Sequence, residues 1–382
     1  MEIALLEPFF TGSHASWAQG YAERSRHQVS IFGLKGHHWK WRMHGGAVSL
    51  AREFLAADYR PDLLLVTDML DLTTFLALTR KLTANISTAI YFHENQLTYP
   101  WSPTDSDPQQ QRDIHYGFIN YTSALAADAV LFNSDYHRQS FLQKLPGFLK
   151  AFPDYNEVET AQKIIDQSRT LPLGLDLKKF DKYRPGSGAA AGQPPLILWN
   201  HRWEYDKNPE EFFRALFVLQ EQNIDFELAV LGESYRKVPK IFAEAKQKLS
   251  DRIVHWGYAQ NFSDYAAWLW RADILPVTSI HDFFGISVVQ SIYCNGFPLL
   301  PKRLAYPEHI TTDYCERCFY TDFDDLVPRL RSACLNIKSL RQEKLQSMVD
   351  HYDWGKMVAI YDDLLEDVVV RGCPRIEETT AK

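Results

Sequence analysis

The sequence has few of the features that mark secreted, membrane-spanning or disulfide-bonded proteins. Its 382 residues include five cysteines, an odd number that does not suggest a disulfide framework in a chain of this length. No window reaches about 18 consecutive apolar residues, the length that a membrane-spanning helix needs. The chain enters a strand-like run at Ile3–Leu6 without the charged and apolar regions of a signal peptide. We therefore expect a soluble, cytoplasmic protein with reduced thiols.

Excess positive charge is also missing. The formal net charge of -7 and the pI near 6.0 exclude a basic footprint over the entire chain but allow a local one. One candidate is the segment Lys35–Arg42, a short loop in this interpretation, where basic and aromatic residues alternate as they do in many nucleic-acid contacts. The alternative is a solvated edge with two packed tryptophans. Nucleic-acid binding would require this segment, with neighbours such as Arg112 and His115, to form one basic face.

Two series of short apolar runs, each alternating with amphipathic stretches, divide the chain. This alternation predicts two doubly wound α/β domains with parallel sheets covered by helices on both faces. The Gly/Pro-rich segment 186–195 lies between the series and is typical of a linker. We expect domains over residues 1–172 and 190–350, and a terminal helix over 351–370 that crosses back to the first domain. The expected strands are Ile3–Leu6, Val29–Phe32, Leu63–Thr67, Thr88–Phe92, Ala129–Phe132, Leu196–Trp199, Phe226–Leu231, Ile253–Trp256, Ile274–Val277 and Pro298–Leu300, and the expected helices include Ala47–Ala57, Thr73–Leu82, Glu210–Gln222, Val238–Leu249 and Gly285–Cys294.

Two cations follow the first strand of the second series. Arg202 and Lys207 lie in a loop between the strand Leu196–Trp199 and a predicted helix. Ligands of doubly wound domains bind outside the carboxyl ends of the strands. Two cations beside a helix N-terminus can neutralise a diphosphate and offer it oriented amides. Solvated surface charges are the alternative.

A glycine begins the helix after the strand Ile274–Val277. Gly285 would let a phosphate approach the backbone, with the amides of Ile286 and Ser287 free to donate hydrogen bonds. Asp282 precedes the turn, and Gln290 lies on the helix within reach of ribose hydroxyls. A tight strand-to-helix turn without a ligand is the alternative.

These segments, in this order, resemble the retaining GT-B glycosyltransferases of the large family-four group. Arg202 and Lys207 keep that group's spacing, and Asp282-Phe-Phe-Gly285 with Gln290 stands where the group has Glu-x-Phe-Gly and a second glutamate. Three further segments of this chain resemble flanking segments of the same group: Leu171–Asp176, Leu231–Glu233 and Asn295–Pro298. The resemblance implies a GT-B fold, two Rossmann-like domains that face a central cleft, and transfer of a sugar from a nucleotide donor without a metal. Asp105 and Asp107, spaced like a metal-binding Asp-x-Asp, are therefore interpreted as solvated.

The first series narrows the resemblance. Glu7–Trp17, His93–Pro100 and Trp39–Arg42 resemble segments of the tRNA-queuosine mannosyltransferase family. Members of that family move mannose from GDP-mannose to the cyclopentene ring of queuosine in a tRNA anticodon. In related retaining enzymes a histidine at the place of His93 contacts the transferred sugar.

The resemblance implies a set of site residues. The expected catalytic residues are His93, Arg202, Lys207 and Asp282. The expected donor-binding residues are Gly12, Gly232, Tyr258, Phe284, Gly285, Ile286, Ser287 and Gln290. The expected acceptor-binding residues are His14, Trp39, Lys40, Arg42, Glu94 and Asn95. No metal and no cofactor are expected beyond the nucleotide-sugar substrate, and tRNA is the expected partner.

Two other functions fit the same sequence. A glycosyltransferase of this fold could act on a lipid, a polysaccharide or a small molecule. A lipid acceptor would require an exposed apolar or amphipathic face on the first domain. A sugar-nucleotide binder without turnover is suggested by Asp282 and Gln290, because an aspartate is shorter than glutamate and an amide lacks its charge.

Overall fold

The computed structural model describes residues 1–102, 105–107, 113–186, 192–234 and 238–372. The chain divides into two compact units. We call Met1–Leu175 with the segment from Trp354 onward the N-terminal unit, and Asp176–Asp353 the C-terminal unit. Of the expected linker, residues 187–191 lie outside the described residues, and so do Arg112 and Cys373.

The N-terminal unit contains a parallel sheet whose described strands run in the order β2-β1-β3-β4-β5-β6. Its central strands β3, β4 and β5 are buried along their whole length, because helices cover both faces of the sheet. This explains why these segments appear in the sequence as nearly continuous apolar runs. The strands are β1 Glu2–Phe10, β2 Gln28–Lys35, β3 Leu63–Thr67, β4 Ser87–Phe92, β5 Ala129–Phe132 and β6 Ser168–Thr170.

Helices connect these strands. Side-chain caps explain where two of them begin: Asp71 accepts a hydrogen bond from the backbone N–H of Thr74, and Ser134 accepts one from that of His137. The helices of this unit are α1 Gly12–Arg24, α2 Trp39–Ala56, α3 Leu72–Thr83, α4 Asp113–Ala126, α5 Asp135–Lys150, α6 Thr160–Gln167 and the terminal α14 Trp354–Gly372.

The terminal helix α14 packs against α1 and β4 in the N-terminal unit. The indole of Trp354 lies against two glycines, since a Cβ built on Gly20 or Gly174 would come within 2.4 Å of it. Tyr21 donates a hydrogen bond to Asp362 at 2.9 Å, and Trp17 donates one to Tyr361 at 3.0 Å. Buried aromatic packing and hydrogen bonds therefore hold α14 in place.

The C-terminal unit contains a second parallel sheet, with its described strands in the order β12-β11-β10-β7-β8-β9. The predicted fold class is confirmed, since each unit is a doubly wound α/β domain. The strands are β7 Leu196–Trp199, β8 Glu227–Val230, β9 Ile253–Trp256, β10 Ile274–Pro276, β11 Phe297–Pro301 and β12 Phe319–Tyr320. The helices are α7 Pro209–Glu221, α8 Ile241–Lys248, α9 Phe262–Arg271, α10 Ile286–Tyr293, α11 Cys315–Cys318, α12 Phe323–Leu335 and α13 Ile337–Leu340.

One predicted loop is a helix. The prediction began the second helix at Ala47, whereas α2 begins at Trp39, directly after His38 in a left-handed conformation with φ of 52°. The segment Trp39–Arg42 is therefore the first turn of α2 and not part of a loop. Among the described residues, none of the helices is long and apolar enough to cross a membrane.

Candidate active site

The loop after β7 holds Lys207 in a buried position. Its Nζ donates a hydrogen bond to the carbonyl oxygen of His281 at 2.9 Å and lies 3.2 Å from Asp206 and 3.4 Å from Asp282. The backbone of Lys207 is held as well, because the hydroxyl of Thr278 donates to its carbonyl oxygen at 3.0 Å. The ammonium group is thus fixed where the ends of β7 and β10 meet.

Arg202 lies in the same loop and is more accessible. Its guanidinium is 3.0 Å from the carboxylate of Glu204 and 3.9 Å from that of Asp206, and its side chain is 45% exposed. A partly exposed guanidinium beside a fixed ammonium suits an anion that arrives from solvent. The two predicted cations do share one site.

The electrostatics of this loop follow from burial and from Lys207. Burial and the nearby Lys207 cation lower the pKa of both His201 and His281 to about 4, so both imidazoles are neutral at pH 7. Burial alone would raise the pKa of Asp282, but Lys207 and a hydrogen bond from Tyr306 at 3.0 Å hold it below its ordinary value. Asp282 is therefore a carboxylate in a fixed orientation.

The turn at Gly285 depends on its glycine. Gly285 has φ of +90°, and a Cβ there would lie 3.1 Å from the ring of Tyr306. The helix α10 begins at the next residue, so the amides of Ile286 and Ser287 belong to its first turn. The hydroxyl of Ser287 lies 2.9 Å from Nδ1 of His201, which links this turn to the loop of Lys207.

Other predicted donor residues lie at the same sheet edge, with different environments. Gly232 follows β8 with φ of +99°, and a Cβ there would meet the carbonyl oxygen of His201 at 1.9 Å. Tyr258 follows β9 and is 57% exposed. Gln290 on α10 accepts a hydrogen bond from Tyr265 at 2.8 Å. The side chain of Phe284 is buried against His309 and Tyr352, so only its backbone faces the turn.

In the N-terminal unit, a second cluster forms at the ends of β1, β3 and β4. The buried Glu7 accepts a hydrogen bond from Nδ1 of His14 at 3.0 Å and one from the backbone N–H of Phe9 at 2.7 Å. The rings of His14 and His93 are 4.3 Å apart between centroids. Asp68 accepts a hydrogen bond from the backbone N–H of His93 at 2.8 Å. Two predicted site histidines are thus neighbours.

The two histidines carry different charges. Burial alone would lower the pKa of His14, but Glu7, with smaller contributions from Asp68 and Glu94, raises it to about 9. Burial and the adjacent His14 cation lower the pKa of His93 well below its ordinary value. His14 is therefore an imidazolium at neutral pH and His93 a neutral imidazole. Burial raises the pKa of Asp68 well above its ordinary value.

His93 has one unsatisfied polar atom. Among the described residues, its Nε2 is buried without a hydrogen-bond partner. A buried polar atom in this condition costs about 1–3 kcal/mol, and a water molecule or a ligand group that hydrogen-bonds to it offsets that cost. A hydroxyl group of a bound sugar has the chemistry to satisfy it.

The same cluster has the composition of a metal site. Potential ligand atoms of Glu7, His14 and His93 all lie within 4.8 Å of one another, a group that the sequence motifs did not reveal. Glu7 and His14 already satisfy one another as an ion pair, and a metal would have to displace the proton between them. Metal-independent transfer stays a prediction.

The remaining residues predicted near His93 differ in accessibility. Asn95 is buried, and its side-chain oxygen accepts hydrogen bonds from the backbone N–H groups of Leu97 and Thr98, both at 3.0 Å. It shapes the loop and does not face a ligand with that oxygen. Glu94 is half-buried and accepts a hydrogen bond from Gln96. Gly12 begins α1 with φ of +53° and open space where a Cβ would lie.

Three residues of the basic-aromatic segment have internal partners. Trp39 packs against Trp101 and Tyr116. The Nζ of Lys40 contacts the carboxylates of Asp105 at 2.8 Å and Asp107 at 2.5 Å. Arg42 donates a hydrogen bond to the carbonyl oxygen of Lys35 at 3.1 Å.

The interpretation of Asp105 and Asp107 as solvated is therefore wrong. Asp107 is buried and Asp105 partly buried, and both carboxylates contact the ammonium of Lys40. Lys40 in turn has little charge left for a phosphate. The exposed His115 lies on α4.

Sequence reasoning missed the groups that set the electrostatics of both clusters: Asp206, His201 and His281 around Lys207, and Glu7 and Asp68 around His93. A signal was present, because Glu7 lies in the carboxyl-terminal half of β1 and the other four residues follow the carboxyl end of a strand. Their contacts, however, join residues far apart in the chain.

Family models match both units. A model described as tRNA-queuosine alpha-mannosyltransferase N-terminal matches residues 2–175, and one described as glycosyl transferases group 1 matches residues 182–342. The tRNA-queuosine alpha-mannosyltransferase of Drosophila melanogaster is 31% identical over 372 residues, which cover 95% of this chain and 96% of that protein. A GDP-mannose-dependent alpha-(1-6)-phosphatidylinositol dimannoside mannosyltransferase of Mycobacterium tuberculosis is 23% identical over 70% of this chain and 63% of its own length.

Solved structures share the fold. Sucrose-phosphate synthase from Thermosynechococcus elongatus is similar with a TM-score of 0.73 at 14% identity, over 97% of this chain and 100% of that one. Anabaena HepE, solved in complex with UDP, gives a TM-score of 0.64 at 12% identity, over 96% of this chain and 100% of that one. At such identities the likeness extends to the fold alone.

Proposed function

Because the chain belongs to the tRNA-queuosine alpha-mannosyltransferase family and is thus a glycosyltransferase, we propose that it transfers mannose from GDP-mannose to queuosine in tRNA. The observation that carries the proposal is the similarity to the Drosophila relative, which extends over 95% of this chain. The two family models, over residues 2–175 and 182–342, include the histidine cluster of the N-terminal unit and the loop of Lys207.

In this proposal the C-terminal unit binds the diphosphate of the donor. Arg202 and Lys207 supply positive charge, and the amides of Ile286 and Ser287 supply hydrogen bonds at the start of α10. The same groups stabilise the charge that develops on the diphosphate as its bond to the anomeric carbon breaks. Asp282 keeps the Lys207 ammonium in place through their 3.4 Å contact.

The N-terminal unit then orients the sugar. The unpartnered Nε2 of His93 hydrogen-bonds to a sugar hydroxyl, and the adjacent His14 cation keeps the His93 imidazole neutral. The acceptor oxygen bonds to the anomeric carbon on the face that the diphosphate leaves, which retains the configuration. The hydroxyl proton of the acceptor passes to the departing GDP. No metal takes part, and the reaction takes place in the cytoplasm, where the four described cysteines remain free thiols.

A donor comparison tests this function. The purified protein would be incubated with queuosine-containing tRNA and, in parallel, with GDP-mannose, GDP-glucose or UDP-galactose. The tRNA is then digested to nucleosides and analysed by mass spectrometry. We expect a gain of one hexose on queuosine with GDP-mannose and none with the uridine donor. Product from UDP-galactose alone, or donor binding without transfer to any acceptor, would overturn the proposal.

A further inference from the structure

One long segment of the N-terminal unit, residues 24–52, contains no acidic residue, and we call it the acid-free segment. Between Glu23 and Glu53 there is no Asp or Glu, whereas the same segment contains Arg24, Arg26, Lys35, Lys40, Arg42 and Arg52. Two of these cations are already paired, each with two carboxylates: Arg26 with Asp363 and Glu366, and Lys40 with Asp105 and Asp107. Among the described residues, Lys35, Arg42 and Arg52 have no acidic partner. A chain with a net charge of -7 thus carries, among its described residues, three cations without an acidic partner at the end of β2 and along α2.

An exposed stripe runs along α2 within this segment. Trp41, Val48 and Leu55 follow one another at seven-residue intervals and so lie on one face of the helix. They are 62%, 56% and 45% exposed, and Arg52 is exposed between the last two. Trp41 therefore faces solvent, while its neighbour Trp39 points into the protein.

A glycine gives the Trp41 indole its position. A Cβ built on Gly45 would come within 2.6 Å of Cζ2 and 2.7 Å of Cε2 of Trp41, so the indole lies directly over the helix backbone there. No side chain larger than hydrogen would leave room for the ring. Among the described residues, the indole nitrogen has no hydrogen-bond partner. The ring is thus supported on one side and open on the other.

We propose that Trp41 is a stacking platform for an unpaired nucleobase of the tRNA substrate, with Lys35 and Arg42 contacting the adjacent phosphates. Single-stranded bases stack on exposed aromatic rings, and neighbouring cations bind the backbone that carries them. The hydrogen bond from Arg42 to the carbonyl oxygen of Lys35 holds the Arg42 guanidinium beside the backbone of Lys35. This inference rests on the proposed function for its RNA partner, and it gives Trp41 a specific role, base stacking, within the segment whose composition suggested a nucleic-acid contact.

A second copy of the chain fits this surface less well. The apolar residues of the stripe are separated by Arg52, and Trp41 is followed by Arg42, so pairing two identical stripes would bring like charges together. Phosphate groups, in contrast, are attracted by those cations.

The test compares Trp41→Ala and Trp41→Phe with Tyr155→Ala in the full-length protein. Tyr155 is a suitable control because it is 89% exposed in the same unit and far from the acid-free segment in sequence. Equilibrium binding of queuosine-containing tRNA is measured at several salt concentrations. We expect Trp41→Ala to raise the Kd and the KM for tRNA about tenfold, with kcat at saturating tRNA and the affinity for GDP-mannose unchanged. Trp41→Phe should keep most of the affinity, and Tyr155→Ala all of it.

Salt dependence separates stacking from charge. Arg42→Gln should reduce the slope of log K against log salt, whereas Trp41→Ala should leave that slope unchanged. The proposed stacking role of Trp41 is wrong if Trp41→Ala binds tRNA with unchanged affinity. It is also wrong if the substitution instead changes the oligomeric state, as measured by light scattering. A failure of the proposed function gives a different result: the wild-type protein then binds the tRNA but transfers no mannose to it.

Discussion

At Lys207 a single ammonium group faces two carboxylates and a carbonyl oxygen in a buried loop. Such a group costs free energy to bury, and it is retained because Asp206 and Asp282 compensate its charge. Its removal would leave two buried carboxylates without their cation. The same residue therefore matters both for the fold of the loop and for the charge of any bound diphosphate.

We expect Lys207→Ala to lower turnover by about two orders of magnitude or more, because one of the two cations that stabilise the leaving diphosphate is lost. The rate of hexose transfer measures this effect, and a thermal unfolding curve monitors folding. Lys207→Ala also removes the cation between the carboxylates of Asp206 and Asp282, which can destabilise the loop. Arg202→Gln is therefore a second variant, because it changes a cation at a more accessible position. Lys182→Ala, an exposed lysine of the same unit, is the control. Near-normal turnover in Lys207→Ala would remove this residue from the site.

The Glu7–His14 pair predicts a pH-dependent stability. The pKa of His14 is raised in the folded state from 6.5 to about 9, so the pair stabilises the protein fully below about pH 6.5. This contribution is lost as the pH rises through 9, and by linkage it amounts to at most about 3 kcal/mol. We therefore expect Glu7→Gln to be less stable than the wild type at about pH 6.5, and this difference in the free energy of unfolding to be smaller at about pH 9.5. Urea unfolding at both pH values measures it, and an equal difference at the two would contradict the assignment of charge to His14.

At the scale of elements, two glycines hold the terminal helix. Gly20→Ala would place a methyl group 2.2 Å from Nε1 of Trp354, so either α14 shifts or the indole leaves its site. We expect a loss of about 1–3 kcal/mol in the free energy of unfolding of the N-terminal unit. Gly147→Ala in α5 is the matched control, because a methyl group added there would have no atom within 4 Å and alanine favours a helix by up to about 1 kcal/mol. If Gly20→Ala and the wild type have equal free energies of unfolding in denaturant, Trp354 is not held in this way.

Strands were easier to predict than helix starts. The bounds of Leu63–Thr67, Ala129–Phe132 and Leu196–Trp199 are those expected from the sequence, since strands buried on both faces are short apolar runs between polar breaks. The bounds of the partly exposed Ile253–Trp256 also match. The start of α2 was wrong by eight residues, because Trp39–Arg42 lacks a clear apolar period and the left-handed residue before it is a histidine.

The site was predictable where its residues follow one another in the chain. Strand ends and the family resemblance pointed to Arg202, Lys207 and the Gly285 turn, and the structure places all three after β7 and β10. Their role in donor binding stays a prediction. The ion pairs of Lys40 could not be predicted, because its partners Asp105 and Asp107 are 65 and 67 residues away. The charge of His14 likewise depends on packing that brings Glu7, Asp68 and Glu94 around it.

For the molecule as a whole, fold and function rest on different observations. A TM-score of 0.73 to sucrose-phosphate synthase at 14% identity places the chain in a fold that serves many acceptors. Recognition of the acceptor then depends on local features, and our proposal assigns contact with RNA to the acid-free segment around α2. Net charge alone would have argued against such a partner.

The most direct test uses two tRNAs that are identical except for queuosine or guanosine at the modified position. The purified protein is incubated with each tRNA and radiolabelled GDP-mannose, and the label is followed into RNA. The account predicts incorporation into the queuosine-containing tRNA alone. Equal labelling of both tRNAs, or labelling of neither by a protein that transfers mannose to another acceptor, would contradict it.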